Sequence, residues 1–245
     1  MSHQPKSLKR KIFEFIWNRF KPSEESQSRL AEYLIPTVEI KTKYGNILFY
    51  CPGGRTVGRA KTLLSKEKLT IEWIEKMQKG VFWDIGANVG VYSLYASSKG
   101  MNVFSYEPSP FNFFILVKNK HLNNLKIQCF PIGFGNETKI QTFSIYDTNF
   151  GYANNSFFSK EGRIQKTENK LELDTFLFSI DDLINKYGVK VPNYIKIDVD
   201  GFEKKVIKGM LHLLKKKELK EIQIEVENKE INFFNNFFLR MGFIK

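Results

Sequence analysis

The chain has 245 residues, 42% of them hydrophobic, two cysteines, and a formal net charge of +12 from 38 basic and 26 acidic side chains. That length and apolar content suffice for one large domain, or one domain plus an appendage, and exclude a disordered chain. Cys51 and Cys129 form no C-x-x-C pair, which argues against a disulfide framework or a thiolate zinc site; with no signal-peptide core and no apolar run near the roughly 18 residues that span a bilayer, a soluble, cytoplasmic protein is expected.

The excess positive charge predicts attraction to anions without choosing among phosphate esters, acidic glycans, nucleic acid and an anionic membrane face. Part of it lies in "KSLKRKIFEFIWNRFK" at 6–21, where Leu8, Ile12, Phe15, Ile16 and Phe20 recur at helical spacing opposite Arg10, Lys11 and Lys21. This basic amphipathic helix, the main feature of 1–30, either rests peripherally on a membrane or packs on its own domain or on a second subunit of a homo-oligomer. An extension over 31–80 follows. It opens with "TVEIKTKYGNILFYCPGG", two β-rich runs around Tyr44-Gly45-Asn46 that predict a hairpin, and closes with a helix over "SKEKLTIEWIEKMQKG" ending at Gly80.

From 81 to 245 strands and helices alternate. Strands are expected at "VFWDIG", "NVFSYE", "KIQCFPIG", "YIKIDVD" and "EIQIEVE", and helices near 89–98, 110–122, 202–215 and 230–240. Strands that are apolar nearly throughout imply a parallel sheet covered on both faces, an α/β fold. The long connection between Asn136 and Asn193 holds a β segment "KIQTFSIY", a polar loop "DTNFGYANNSFFSKEG" and a short helix "SIDDLINKYG"; it is either a substrate lid or a surface loop.

Ligands of open parallel sheets bind outside the carboxyl ends of the strands. Acids stand at those ends here: Asp84, Glu107, Asp198 with Asp200, and Glu225 with Glu227. Glu107 lies 23 residues beyond Asp84, the separation at which an acid meets the ribose hydroxyls of a nucleoside held over the first turn. The turn itself, Gly86-Ala87-Asn88-Val89-Gly90, lacks the dinucleotide fingerprint and is followed by no phosphate-binding lysine. A tight turn with an acid that repels phosphate and attracts a sulfonium suits S-adenosylmethionine.

"FWDIGANVGVYSLYAS", "VFSYEPSPFNF", "IDDLI" and "YIKIDVDGFEKKVIKGM" together resemble the FkbM family of S-adenosylmethionine-dependent O-methyltransferases over about residues 81–228. The resemblance implies a Rossmann-like class I methyltransferase sheet of seven strands. It gives Asp84, Gly86, Asn88 and Gly90 to the methionine end of the cofactor and Glu107 to its ribose. It also implies methylation of a hydroxyl on a sugar, a glycan or a related metabolite. Where the family commonly has D-V-E-G-x-E this chain has Asp198-Val199-Asp200-Gly201-Phe202-Glu203, so the acid at 200 is one methylene shorter.

Such chemistry needs a proton acceptor, and His3, His121 and His212 fall away from the expected rim. The candidates are therefore Asp198 at the end of the fourth strand and Glu203 at the start of the next helix, with Asp200 beside them. Glu203 also suits a purely stabilising role in a first helical turn. The resemblance requires no metal; a metal-assisted alternative would use Asp198 with Glu227 and Asn228, an oxygen set suited to magnesium. Rival readings are a catalytically silent cofactor-binding or glycan-interaction module and an RNA 2′-O-methyltransferase; no RNA-binding motif supports the latter, and a small-molecule or glycan acceptor, anionic to match the charge, is expected. After the fifth strand comes a single aromatic-rich helix. This predicts a sheet of five or six main strands, truncated or short of an edge, whose open side is covered by the N-terminal segment, the 31–80 region or another subunit.

Overall fold

The computed structural model describes residues 8–20, 22–153, 155, 157 and 170–244; the ends of the basic stretch and the later half of the polar loop lie outside these. The chain divides into two compact units, Met1–Pro36 and Thr37–Lys245. The first contains helices α1 (Leu8–Phe20) and α2 (Glu24–Tyr33), the second helix capped by the Ser23 hydroxyl, which accepts from the Ser26 N–H. No described helix is long and apolar enough to cross a membrane.

The second unit opens with an antiparallel hairpin, β1 (Thr37–Thr42) and β2 (Gly45–Tyr50), followed by α3 (Gly54–Lys61) and α4 (Lys68–Lys76). Then come β3 (Val81–Ile85), α5 (Val91–Ser98), β4 (Asn102–Tyr106), α6 (Pro110–Leu122) and β5 (Ile127–Phe130). The chain continues through β6 (Gly133–Phe134), β7 (Lys139–Ile145), β8 (Leu171–Phe178) and α7 (Ile180–Tyr187), and ends with β9 (Tyr194–Ile197), α8 (Glu203–Lys208), β10 (Glu221–Ile224) and α9 (Ile231–Arg240).

Five strands form one parallel sheet in the order β10-β9-β3-β4-β5, flanked by helices in a Rossmann-like arrangement. Besides the hairpin, three strands make a small sheet, β6-β8-β7, from the end of the expected third strand and the long connection. The expected strand "KIQCFPIG" is split between the two sheets. Pro131, which has no N–H for a ladder, lies between β5 and β6. The long connection likewise contains β8, a strand absent from the sequence reading, paired antiparallel to β7 from Lys139↔Leu177 to Ile145↔Leu171. The helix expected over 202–215 stops at Lys208. A Cβ on Gly209 would lie 2.0 Å from the Gly135 carbonyl oxygen, so the chain packs there against the β6 exit and resumes as a 3-10 turn at Leu213–Lys215.

Strand alternation sorts the core. Trp83, Ile85, Ile195 and Ile197 point to one face, under α7, α8 and α9; Phe82, Val103, Ile127 and Tyr194 point to the other, with the hairpin, α3, α4 and α5. Each such side chain, fully buried, contributes about 1.5–3 kcal/mol. The same alternation puts Asp84 and Lys196, register partners on β3 and β9, side by side on the second face.

β10 is the sheet edge and has no second strand neighbour among the described residues. Residues of α4 reach it, with Trp73 Nε1 donating to Glu221 Oε2 at 2.6 Å and Gln223 Nε2 donating to Thr70 Oγ1 at 2.9 Å. The aromatic ending is largely absorbed: Phe234 is buried, and Phe237, Phe238 and Phe243 pack against the first core.

Candidate active site

A cleft opens at the carboxyl ends of β3, β4 and β9, and the turn after β3 forms its floor. Gly86 and Ala87 each donate a backbone N–H to the Tyr106 carbonyl at 3.0 Å, tying the turn to the end of β4. Gly86 has φ +81° and a Cβ there would fall 1.8 Å from the Asp198 carbonyl oxygen; the glycine is demanded both by backbone handedness and by contact with the β9 exit. Asn88 also adopts a left-handed φ, +51°, which asparagine tolerates better than most side chains. Gly90, left-handed at the start of α5, faces Leu116 of α6, whose Cδ1 would be 2.4 Å from an added Cβ.

That turn conformation aims the Asn88 N–H at Glu107 Oε2, at 2.8 Å, while the Ser109 N–H donates to Oε1 at the same distance. Glu107 is 5% exposed, and burial pushes its carboxyl up to about 7, with the two backbone donors opposing the shift. Asp84 lies deeper, 1% exposed. Its Oδ2 accepts from the Ser93 hydroxyl at 2.5 Å, and its Oδ1 has no hydrogen-bond partner among the described residues. Burial raises the Asp84 carboxyl, against the pull of Lys196.

The β9 rim is built from charges. The Lys196 Nζ, 3% exposed as a residue, donates to Asp198 Oδ2 at 2.8 Å, lies 4.0 Å from Glu67 Oε2 and sits 4.9 Å from the centre of the Tyr92 ring. Burial opposes the charge on Asp198, but Lys196, with the Glu225 hydrogen bond and Arg59, more than offsets it and holds that carboxyl below its usual range. Glu225, at the exit of β10, shares a hydrogen bond with Asp198, and the Asp198 charge followed by burial pushes Glu225 up to about 7. Oxygens of Glu67, Asp198 and Glu225 come within 4.8 Å of one another. The acids gathered around Asp198 are therefore Glu67 and Glu225, with a lysine among them, whereas Glu227 pairs with Lys229 at 2.7 Å.

Of the residues singled out in the sequence, Gly86, Asn88, Glu107, Asp198, Asp200 and Glu225 line the cleft, and Asp84, Gly90 and Glu203 lie behind it. Glu203 is buried and its Oε1 accepts from the Val199 and Gly201 N–H groups at 3.3 and 3.1 Å, so it braces the loop that carries Asp198 and Asp200. Asp200 is exposed and left-handed, with φ +52°.

Several contributors escaped the sequence reading. Arg59, Glu67, Tyr92, Asn112 and Lys196 all line the cleft. A lysine within "YIKID", an otherwise apolar buried strand, was the one visible sign. The first part of the polar loop folds onto the site through Asn112, which accepts from the Gly151 N–H at 2.8 Å. Asn112 Nδ2 and Asn88 Nδ2 both donate to the Tyr152 carbonyl, at 2.9 and 3.1 Å.

The sheet order, the glycine turn after its central strand and the buried acid closing the next strand define a Rossmann-like, class I methyltransferase fold. A family model for the methyltransferase FkbM domain matches residues 84–244, and the chain belongs to that family of S-adenosylmethionine-dependent methyltransferases. It is similar to the hexuronic acid methyltransferase AglP of Haloferax volcanii, 28% identical over 159 residues, 64% of this chain and 62% of that one. It is also similar to methyltransferase 1 of Beauveria bassiana, 25% identical over 141 residues, 52% of this chain and 57% of that one. The chain thus spans 62% and 57% of the lengths of these curated relatives. Among solved structures it is similar to a precorrin-6y C5,15-methyltransferase from Geobacter metallireducens, with a TM-score of 0.44, 14% identity and 76% of each chain covered.

The residues present fit the cofactor. Glu107 spends one acceptor position per oxygen on backbone amides, and a carboxylate has about four, leaving acceptors for a pair of vicinal hydroxyls. The buried Tyr106 hydroxyl, which lines the cleft, has no partner among the described residues.

Proposed function

We propose that the protein methylates a hydroxyl of a sugar, glycan or related metabolite, using S-adenosylmethionine, with Asp198 as proton acceptor. The observation that carries this reading is a single cleft with two differently set carboxylates, Glu107 held by backbone amides and Asp198 held by Lys196. Bound, the cofactor would supply a methyl group on a cationic sulfonium, which breaks its S–CH3 bond and leaves as the neutral thioether S-adenosylhomocysteine. Glu107 accepts from its ribose hydroxyls, and Gly86 and Asn88 carry its methionine end. Asp84 acts from beneath as the buried acid that holds the Ser93 hydroxyl, and Gly90 by shaping the turn.

As the acceptor hydroxyl loses its proton to the reaction, Asp198 takes it, held ionised by Lys196 and acting through its placement rather than through a raised basicity. Glu225, hydrogen-bonded to Asp198 and exposed, gives that proton a route to water. Asp200 borders the same opening, and Glu203 acts as a positioning residue for the loop. The name of the Haloferax relative favours an acidic sugar as acceptor, as does the net charge of +12.

Labelled methyl transfer to hexuronate-containing and neutral glycans tests this. Incorporation into the former at a hydroxyl is expected, and incorporation into RNA alone would overturn the reading. Within the same proposal α1 is an interfacial helix, since Leu8, Ile12, Phe15 and Ile16 are exposed. Co-sedimentation with anionic but not neutral lipid vesicles is the expected behaviour, and equal recovery with both removes the membrane role.

A further inference from the structure

We infer that Arg59 forms a carboxylate-binding subsite within the cleft, taking either the amino-acid carboxylate of the cofactor or the carboxylate of an acidic acceptor. The inference rests on the cofactor reading above and deepens it.

Arg59 lies on α3, half-buried, and lines the same cleft as Glu107 and Asp198. Its Nε donates to the Gly151 carbonyl at 2.7 Å, and Gly151 is itself fixed by the Asn112 side chain. One edge of the guanidinium is therefore anchored, which restricts where the remaining fork can point. Its two terminal nitrogens have no hydrogen-bond partner among the described residues.

The nearby acids do not satisfy them. Arg59 lies within electrostatic reach of both Glu107 and Asp198, yet makes an ion pair with neither. Glu107 is engaged by backbone amides, and Asp198 by Lys196 and Glu225. An anchored planar fork with free terminal donors matches the two oxygens of a carboxylate, the pairing in which arginine differs most from lysine. Lys66, exposed on the same wall and without an ion-pair partner among the described residues, adds a second positive charge at the opening.

The two sources of the carboxylate separate by matched probes. Calorimetry compares S-adenosylhomocysteine with 5′-methylthioadenosine, which keeps the nucleoside and thioether but has no carboxylate. Ligand-observed NMR with S-adenosylhomocysteine present compares glucuronate with glucuronamide. Arg59→Gln should weaken the carboxylate-bearing member of one pair by about ten- to a hundredfold and leave its neutral counterpart unchanged. Loss in the first pair assigns the subsite to the cofactor, and loss in the second to the acceptor. Arg59→Lys, which keeps charge without the fork, should recover only part of the loss. Equal weakening within both pairs would mean that Arg59 acts by anchoring Gly151, and no weakening that it binds nothing; either overturns the inference. Wild-type protein that binds neither nucleoside would remove the cofactor reading and the inference together.

Discussion

The two rims of the cleft are made by different physics. At the β3–β4 end the backbone does most of the work: left-handed residues at 86, 88 and 90, and amides of Asn88 and Ser109 on a buried carboxylate. At the β9–β10 end, side chains from distant parts of the chain crowd around Lys196, three of them acids within 4.8 Å of one another. A backbone-built rim is fixed by folding alone and suits an invariant ligand. A charge-built rim can exchange protons. The contrast is why the proposed function gives binding to the first end and chemistry to the second, and it can be broken from either side.

The largest expected effect is at the charged rim. Asp198→Asn should lower turnover by roughly 10²–10⁴-fold on an accepted substrate, the range for a positioned base, with S-adenosylhomocysteine affinity near that of the wild type. A variant that retains full turnover would move the base elsewhere. Next comes the point where the rims touch. Gly86→Ala combines a left-handed φ with a Cβ 1.8 Å from the Asp198 carbonyl, and should destabilise the fold by about 2 kcal/mol or more in urea unfolding. Unchanged stability would show that this contact is looser than described.

The smallest effect sharpens the contrast through pH. Burial raises the folded pKa of Glu107 to about 7, above its usual value of 4.5, so the protonated form is favoured in the empty folded state. Its stability contribution is then fully present below 4.5 and is lost as pH rises through about 7. Ribose hydroxyls donate to the ionised form. Affinity for S-adenosylhomocysteine should therefore fall as pH drops below about 7, by at most tenfold per unit, and Glu107→Gln should flatten that profile. A wild-type profile already flat between pH values on either side would separate Glu107 from the ligand.

The same contrast explains what was legible in the sequence. Gly86, Asn88, Gly90 and Glu107 were readable because the turn is local and its geometry restricts residue type. The five parallel strands were readable because each is a short, mainly apolar run separated from the next by a helical pattern. The charged rim was only half visible. Asp198 follows its strand, but Glu67 and Arg59 come from the 31–80 region, outside the strand–helix repeat that forms the main sheet, and nothing local marks them. Glu203 sits at a helix start in sequence, yet its orientation toward the Val199 and Gly201 amides depends on a loop conformation with left-handed residues at 200 and 201. The long connection hid β8, although Leu171 and Leu173 alternate with Glu172 and Asp174 in sequence, because the strand's first four residues are all exposed and its partner β7 lies on the other side of the polar loop.

The central claim, that the β3–β4 rim holds the nucleoside of S-adenosylmethionine through Glu107, is tested most directly by calorimetric titration of S-adenosylhomocysteine into wild-type and Glu107→Ala protein at neutral pH or above. Two charge-assisted hydrogen bonds at about 1.5–3 kcal/mol each predict a loss of affinity of at least an order of magnitude, with the variant still folded by its unfolding profile. Affinity equal to the wild type in a folded variant would contradict the account.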